Sequence, residues 1–292
     1  MHTEEQKEII RKIAELQKAV EDRFNGQYPE IFKDLYTQVL TLTSQVNLSG
    51  SAETRAKELI QLQRLKKKIA EVVYTNKAYQ VAVKEVTDSY KEISKLSDDY
   101  FRTVIDGYKP KQELYKAVLE SNIQFTRDAL LGNGIQETFA RDITGLLKNS
   151  LIKKSSQKPF NEALKHLIEG YKDQPPILQN QLKTAVADSI MISNRQYLEV
   201  ISEDLNISYY IYSGTIISDT RPFCAARAGK IFKKSEIESW AKLSWSGKMP
   251  GTTKETIFVL CAGYRCRHSF FPATKAQFTL QEKRKEISNF EL

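Results

Sequence analysis

The chain has 292 residues, of which 41% are hydrophobic and 27% charged, and its 44 Lys and Arg outnumber 36 Asp and Glu for a formal net charge of +8. Such a length and balance predict a globular protein of about two domains. No stretch reaches the ~18–20 apolar residues of a membrane span, and the opening Met1-His-Thr-Glu-Glu-Gln-Lys7 is too polar for a secretion signal, so no membrane contact and synthesis in the cytoplasm are expected.

Thr3 followed by Gln6 has the form of a capping box, and Ile9, Ile10, Ile13, Leu16, Val20 and Phe24 then recur at helical spacing. Gly26 and Pro29 stop that helix. A second starts near Glu30 with Ile31, Phe32, Leu35, Val39 and Val46 on one side, ending at Asn47-Leu-Ser-Gly50. From Ser51 an apolar stripe runs through Leu59, Leu62, Ile69, Val72 and Val73 and on to Ile93 and Tyr100. It meets no proline before Pro110, which predicts one long helix or two joined near Asn76. Residues 1–109 therefore read as an elongated helical bundle or hairpin, in which Lys66-Lys67-Lys68 form a solvated face.

Past Pro110 the pattern shortens. Leu114, Val118 and Leu119 open a helix that Gly132-Asn-Gly134 breaks. Phe139, Ile143, Leu146 and Leu147 make a short successor. Ser155–Pro159 reads as a loop, Phe160–Tyr171 as a helix and Asp173–Pro176 as a stop. A helix from about Ile177 to Asp204 leads into Ile207–Ser213, whose aromatic and β-branched residues favour a strand. The fold class expected is α+β and predominantly helical, with an arm over 1–109 and a mixed module of helices and a small sheet over 110–292.

The chemistry concentrates between Ser218 and Pro272. All three cysteines fall there, and an odd number confined to the last quarter of the chain is not a secreted disulfide framework. Cys224 stands alone, and the segment closes on Cys261-Ala-Gly-Tyr-Arg-Cys266-Arg-His268. Three thiolates and one imidazole, Cys224, Cys261, Cys266 and His268, would complete a tetrahedral structural Zn2+ site. Buried structural thiols and a disulfide are the alternatives. The turn-rich stretch between the cysteines, with Trp240 and Trp245, would wander unless anchored at both ends, and the two tryptophans are read as its core or cover.

Residues 205–275 also carry 11 Lys and Arg against 4 Asp and Glu, so the basic excess sits on the cysteine segment and favours a polyanion such as DNA. Arg221, Arg227, Lys230, Arg265 and Arg267 are the candidate contacts to phosphate or to carboxylates of a partner. A solvated basic face is the plain alternative.

A long helix feeding the strand Tyr209–Ser213, then Asp219-Thr-Arg-Pro-Phe-Cys224, Ala228-Gly-Lys-Ile-Phe232 and Gly263-Tyr-Arg-Cys266-Arg-His268, resembles over residues 113–275 the phage minor head proteins typified by the F protein of phage Mu. The resemblance implies a structural virion protein of a tailed phage, carried in few copies. Its partners would be the portal or the major capsid protein, with packaged double-stranded DNA nearby, and it would act in head assembly, DNA packaging or ejection, in the virion and in the host cytoplasm before that. Asp219, Arg221, Cys224, Gly229, Lys230, Cys266, Arg267 and His268 occupy the motif. Relatives often lack a cysteine at the position of Cys261, in which case Asp219 would supply a fourth donor or the remaining three would pack without metal.

A nuclease or thiol hydrolase is disfavoured because His268 is the only histidine near the cysteines, His2 and His166 lie elsewhere, and no His-Glu-x-x-His or glycine-rich phosphate loop is present. No enzymatic activity is expected. A zinc-stapled DNA-binding protein with a helical oligomerisation arm is the other reading, although its spacing fits neither a zinc finger nor a zinc ribbon.

Overall fold

A computed structural model describes residues 3–290, with side chains as far as residue 284; His2 lies outside it. The fold is α+β and predominantly helical, with one three-stranded antiparallel sheet. Among the described residues no helix is long and apolar enough to cross a membrane.

Contacts divide the chain into two compact units that do not follow the expected boundary at residue 109. One comprises residues 1–20, 88–123 and 187–292, the other 21–87 and 124–186. The division falls inside helices α1 (Glu4–Gly26), α6 (Gln112–Leu131) and α9 (Gln179–Asp204). Sequence periodicity marks which face of a helix is apolar but not which distant partner covers it, so the interleaving was not visible there.

The unit of residues 21–87 and 124–186 is wholly helical. Its main elements are α2 (Tyr28–Thr43), α3 (Ala52–Thr75), α4 (Lys77–Asp88), α7 (Asn133–Ile152) and α8 (Gln157–Glu169), and α2, α3, α7 and α8 pack on one another. The stripe residues Ile31, Phe32, Leu35 and Val39 meet Ile69, Val72, Val73, Phe139, Ile143, Leu147, Phe160 and Leu164 in a buried core. The unbroken stretch after Ser51 is interrupted at Asn76, as expected, and again at Ser89. Ser51 caps α3 by accepting from the Thr54 amide at 3.2 Å. Asn76 leaves the helical region at ψ 113°. Its Oδ1 accepts from the Tyr79 amide at 2.8 Å, starting α4, while its Nδ2 donates to Asp34 at 2.7 Å. One fully buried amide thus ends one helix and begins the next.

The other unit holds the sheet, β1 (Tyr209–Ser213), β2 (Ile231–Lys233) and β3 (Ser269–Pro272), in the order β2-β1-β3. Both pairings are antiparallel, with Tyr210 opposite Phe232 and Tyr212 opposite Phe270. Alternation sends Tyr210, Tyr212 and Phe270 to one face, where they join an apolar cluster with Cys224, Ile237, Trp240, Ile257, Phe258, Cys261 and Cys266. The opposite face meets α5 (Tyr90–Val104): Tyr100 lies 5.0 Å from the Phe271 ring and donates to the Pro272 carbonyl at 2.9 Å. Burial on both faces explains why β1 reads Tyr-Tyr-Ile-Tyr without polar alternation. The outer edge of β2 is closed by α13 (Lys275–Phe290), whose Gln281 amide bonds both the N–H and the C=O of Ile231 at 2.7 and 2.9 Å. The expected capping box at Thr3 and Gln6 is present, and Thr274 with Gln277 repeats it on α13.

Candidate metal centre

Four short segments bring the donors together, all within the sheet-bearing unit. Pro222 opens the helical turn α10 (Pro222–Ala225), where its fixed φ suits the first position, and this turn buries Cys224. The loop then ties back to β1 through Gly229 N–H to the Tyr212 carbonyl at 2.7 Å and Tyr212 N–H to the Lys230 carbonyl at 3.0 Å. Cys261 follows α12 (Ile257–Leu260), and Cys266 and His268 immediately precede β3.

The Cys261–Cys266 turn is tight for a specific reason. Gly263 has φ +103°, and a Cβ there would sit 1.8 Å from the Gly247 carbonyl oxygen. Cys261 and Arg265 also take positive φ, 45° and 53°, a conformation that costs a residue with a side chain roughly 1 kcal/mol or more. Gly214 is as constrained: a Cβ would fall 2.6 Å from the Arg267 oxygen and 2.7 Å from the His268 backbone and ring. Glycine just beyond β1 is what lets His268 close on the sheet.

The Sγ atoms of Cys224 and Cys266 are 4.0 Å apart, and Cys266 Sγ lies 3.8 Å from His268 Nδ1. All three ligand atoms fall within 4.8 Å of one another, and all three residues are buried. A tetrahedral zinc with its usual bond lengths needs about 3.8 Å between sulfurs and about 3.5 Å between sulfur and nitrogen. The sulfur separation also excludes a disulfide in this state, since that bond is about 2 Å long. His268 Nε2 is buried without a hydrogen-bond partner, and the ring stacks on Tyr212 at 5.0 Å, so the imidazole is oriented but not consumed by other bonds. This cluster can hold a metal ion.

Cys261 is not in that trio. Its thiol is buried 3.5 Å from the Tyr212 hydroxyl, which also lies 3.4 Å from Cys224 Sγ and 3.8 Å from Cys266 Sγ. Asp219, the alternative fourth donor, is exposed and also outside the trio. Charge within the cluster is uneven. Accepting hydrogen bonds from the Cys224 and Cys261 thiols pulls Cys266 well below the usual thiol range, while donating to Cys266 pushes Cys224 up and burial pushes Cys261 up. A thiolate is the form that binds metal.

Sequence reasoning missed Arg195. It sits on α9, only 2% exposed, and donates through Nε and Nη2 to the His268 carbonyl at 3.0 and 2.7 Å, through Nη2 to the Cys266 carbonyl, and through Nη1 to the Val259 carbonyl at 3.3 Å. One planar guanidinium therefore fixes the backbone of two donor residues. The only signal in the sequence is a basic residue on the face shared with Met191, Ile192 and Leu198, all buried. Nearby, Asp188 accepts from the Arg265 amide at 2.5 Å, and burial pushes its carboxyl up to about 6.

The five basic candidates separate. Arg221 donates to the Tyr264 carbonyl at 2.6 Å and packs against Gly247, so it braces the loop. Arg227 stacks between Phe223 and Trp240 at 3.9 and 4.7 Å and donates to the Phe223 carbonyl. Lys230, Arg265 and Arg267 are exposed. Trp240 is buried in the cluster, and Trp245 stacks on Phe223 at 4.2 Å while its Nε1 donates to the Ala262 carbonyl at 2.9 Å, so both cover the core. The loop between the cysteines also carries ties of its own, from Lys248 Nζ to the Ala241 and Leu243 carbonyls and from Thr256 to Gly251.

No protein-family model, no curated protein and no solved structure matches this chain.

Proposed function

We propose that this chain is a non-catalytic structural protein of a tailed-phage head, a minor head protein joined to the portal or major capsid protein, whose C-terminal module is stapled by a zinc ion at Cys224, Cys266 and His268. The observation that carries this reading is the meeting of the separated motif segments at one buried point, with Cys224 4.0 Å from Cys266 across 42 residues of chain. The resemblance in the order of those segments supplies the virion context.

The donor set supports a structural role over a catalytic one. Structural zinc sites are closed, whereas catalytic ones keep a coordination position open to substrate. Here Cys224, Cys266 and His268 are each at most 3% exposed; the two cysteines share one buried cluster with Tyr212 and Trp240, and the Tyr212 ring stacks on His268. Bound zinc would supply a crosslink. The residues do the rest: Pro222 and Gly214 place the donors, and Arg195 fixes the carbonyls on either side of Arg267. Exposed Lys230, Arg265 and Arg267 supply positive charge suited to packaged DNA or an acidic partner surface.

Two measurements test the reading. Mass spectrometry of purified particles is expected to find the chain in low copy beside the portal protein, and its absence from particles would overturn the virion assignment. Elemental analysis of the isolated chain is expected to give about one zinc per chain; a chain that neither contains nor takes up metal would overturn the staple.

A further inference from the structure

We propose that Cys261 is the third thiolate of the occupied metal centre and that Arg195 is the counter-ion of the resulting anionic cluster. This rests on the metal reading above and extends it, because the trio of Cys224, Cys266 and His268 leaves one tetrahedral position unassigned.

Position favours Cys261 for that place. A single hydroxyl, that of Tyr212, lies 3.4, 3.5 and 3.8 Å from the sulfurs of Cys224, Cys261 and Cys266 respectively. The third thiol therefore sits beside the trio in the same buried cluster, its sulfur outside the 4.8 Å that the three donors share. Its backbone is held at φ 45° and ψ −133°, a strained conformation for a residue with a Cβ. Strain kept at a buried thiol calls for something that the thiol does there, and ligation supplies it. Asp219, the competing donor, is exposed.

Charge leads to the same assignment independently. Zinc with two thiolates and a neutral imidazole is uncharged, which would leave Arg195 as a buried cation whose hydrogen bonds all go to backbone carbonyls, those of Val259, Cys266 and His268. On its own helix Glu199, four residues on, holds a proton at neutral pH, and Asp188, seven residues back, attracts Arg195 without forming an ion pair and accepts from the Arg265 amide. An unpaired buried charge is strongly destabilising. A third thiolate makes the centre a monoanion, and the guanidinium then balances it.

Cobalt binding to the full chain provides the test, because sulfur-to-cobalt charge-transfer absorbance grows with the number of thiolates bound. Cys261→Ser is expected to retain cobalt but lose about one third of that absorbance, as one of three sulfurs leaves. Unchanged absorbance in Cys261→Ser overturns the third-thiolate assignment while leaving the metal reading intact. A wild-type chain that binds no cobalt overturns both. Arg195→Met is expected to weaken cobalt affinity about tenfold or more at unchanged band shape, with Arg195→Lys recovering part of the loss. If charge pairing is the cause, the doubly substituted chain, Arg195→Met with Cys261→Ser, binds more tightly than the two single losses predict when added. Strict additivity, or an affinity that Arg195→Met leaves unchanged, overturns the counter-ion role. Should Arg195→Met fail to fold, comparison of Arg195→Lys with the wild type and with its own Cys261→Ser double decides the same point.

Discussion

The helical unit and the sheet-bearing unit are held together in opposite ways. In the first, Ile31, Phe32, Leu35, Ile69, Val73, Phe139, Ile143 and Leu147 bury broad apolar faces, each contributing a share that neighbours can partly replace. In the second, a few residues of unusual chemistry meet at a point: two sulfurs, an imidazole, a buried guanidinium and glycines that admit no Cβ. A distributed core fails gradually under substitution. A point assembly fails as a unit.

The sharpest test of that difference is removal of a donor. Cys266→Ser or His268→Ala is expected to abolish metal binding and remove the metal-linked stability of the sheet-bearing unit, on the order of several kcal/mol for a structural zinc site. Both tryptophans, Trp240 and Trp245, belong to the cluster, so fluorescence reports this unit alone. A tryptophan unfolding transition that is unmoved by His268→Ala, with metal present, would count against the staple. Hydrogen exchange in peptides from residues 133–152 and 157–169 should stay at the wild-type level.

Phe139→Ala probes the other side of the contrast. Its ring is fully buried on α7, and truncation is expected to cost about 3–5 kcal/mol with no change in metal stoichiometry. Asn76→Ala ranks next, at about 1–3 kcal/mol, because it strips the cap from α4 and removes one of the two amide donors to the half-buried Asp34. Exchange protection lost at residues 77–88 before residues 52–75 would locate the damage at the start of α4; uniform loss would mean that the joint has no local role.

How much of this could be read in advance follows from the range of the interactions. Thr3 with Gln6, Ser51 and the break at Asn76 act within three residues, and each was legible. So was β1, from its aromatic run. β2 and β3, three and four residues long, carry too little pattern to declare themselves and exist because β1 pairs with them. The pairing of Cys266 with His268 could be anticipated from their closeness in sequence, and the addition of Cys224, 42 residues earlier, from its residue type alone. Cys261's place on the Tyr212 hydroxyl, Arg195's burial and the closure allowed by Gly214 all depend on segments 49 or more residues apart or on a single Cβ clash. Arg221 and Arg227 resemble free phosphate ligands by charge alone; only the positions of Tyr264, Phe223 and Trp240 show how they are used.

The smallest effect expected is a pH dependence, and it too arises where polar groups are crowded. Glu199 on α9 is hydrogen-bonded to Glu203 one turn later, and Glu203 is paired with Lys234 at the start of α11 (Lys234–Ser239). Burial, reinforced by the neighbouring carboxylate, pushes Glu199 up to about 8, while the Lys234 bond holds Glu203 below the usual range. The pair therefore keeps one proton at neutral pH. Glu199 ionises near 4.5 when unfolded, so between that value and about 8 the folded chain binds more protons than the unfolded chain. Its contribution to stability is complete at the low end of that window and is lost as pH rises through about 8. Glu199→Gln keeps a donor for Glu203 and cannot titrate. Its urea midpoint is expected to be flatter with pH across that window and higher than wild type above about 8. Parallel curves for the two chains would mean that the pair is solvated and that the crowding which rules the sulfur cluster does not extend to this edge of the sheet.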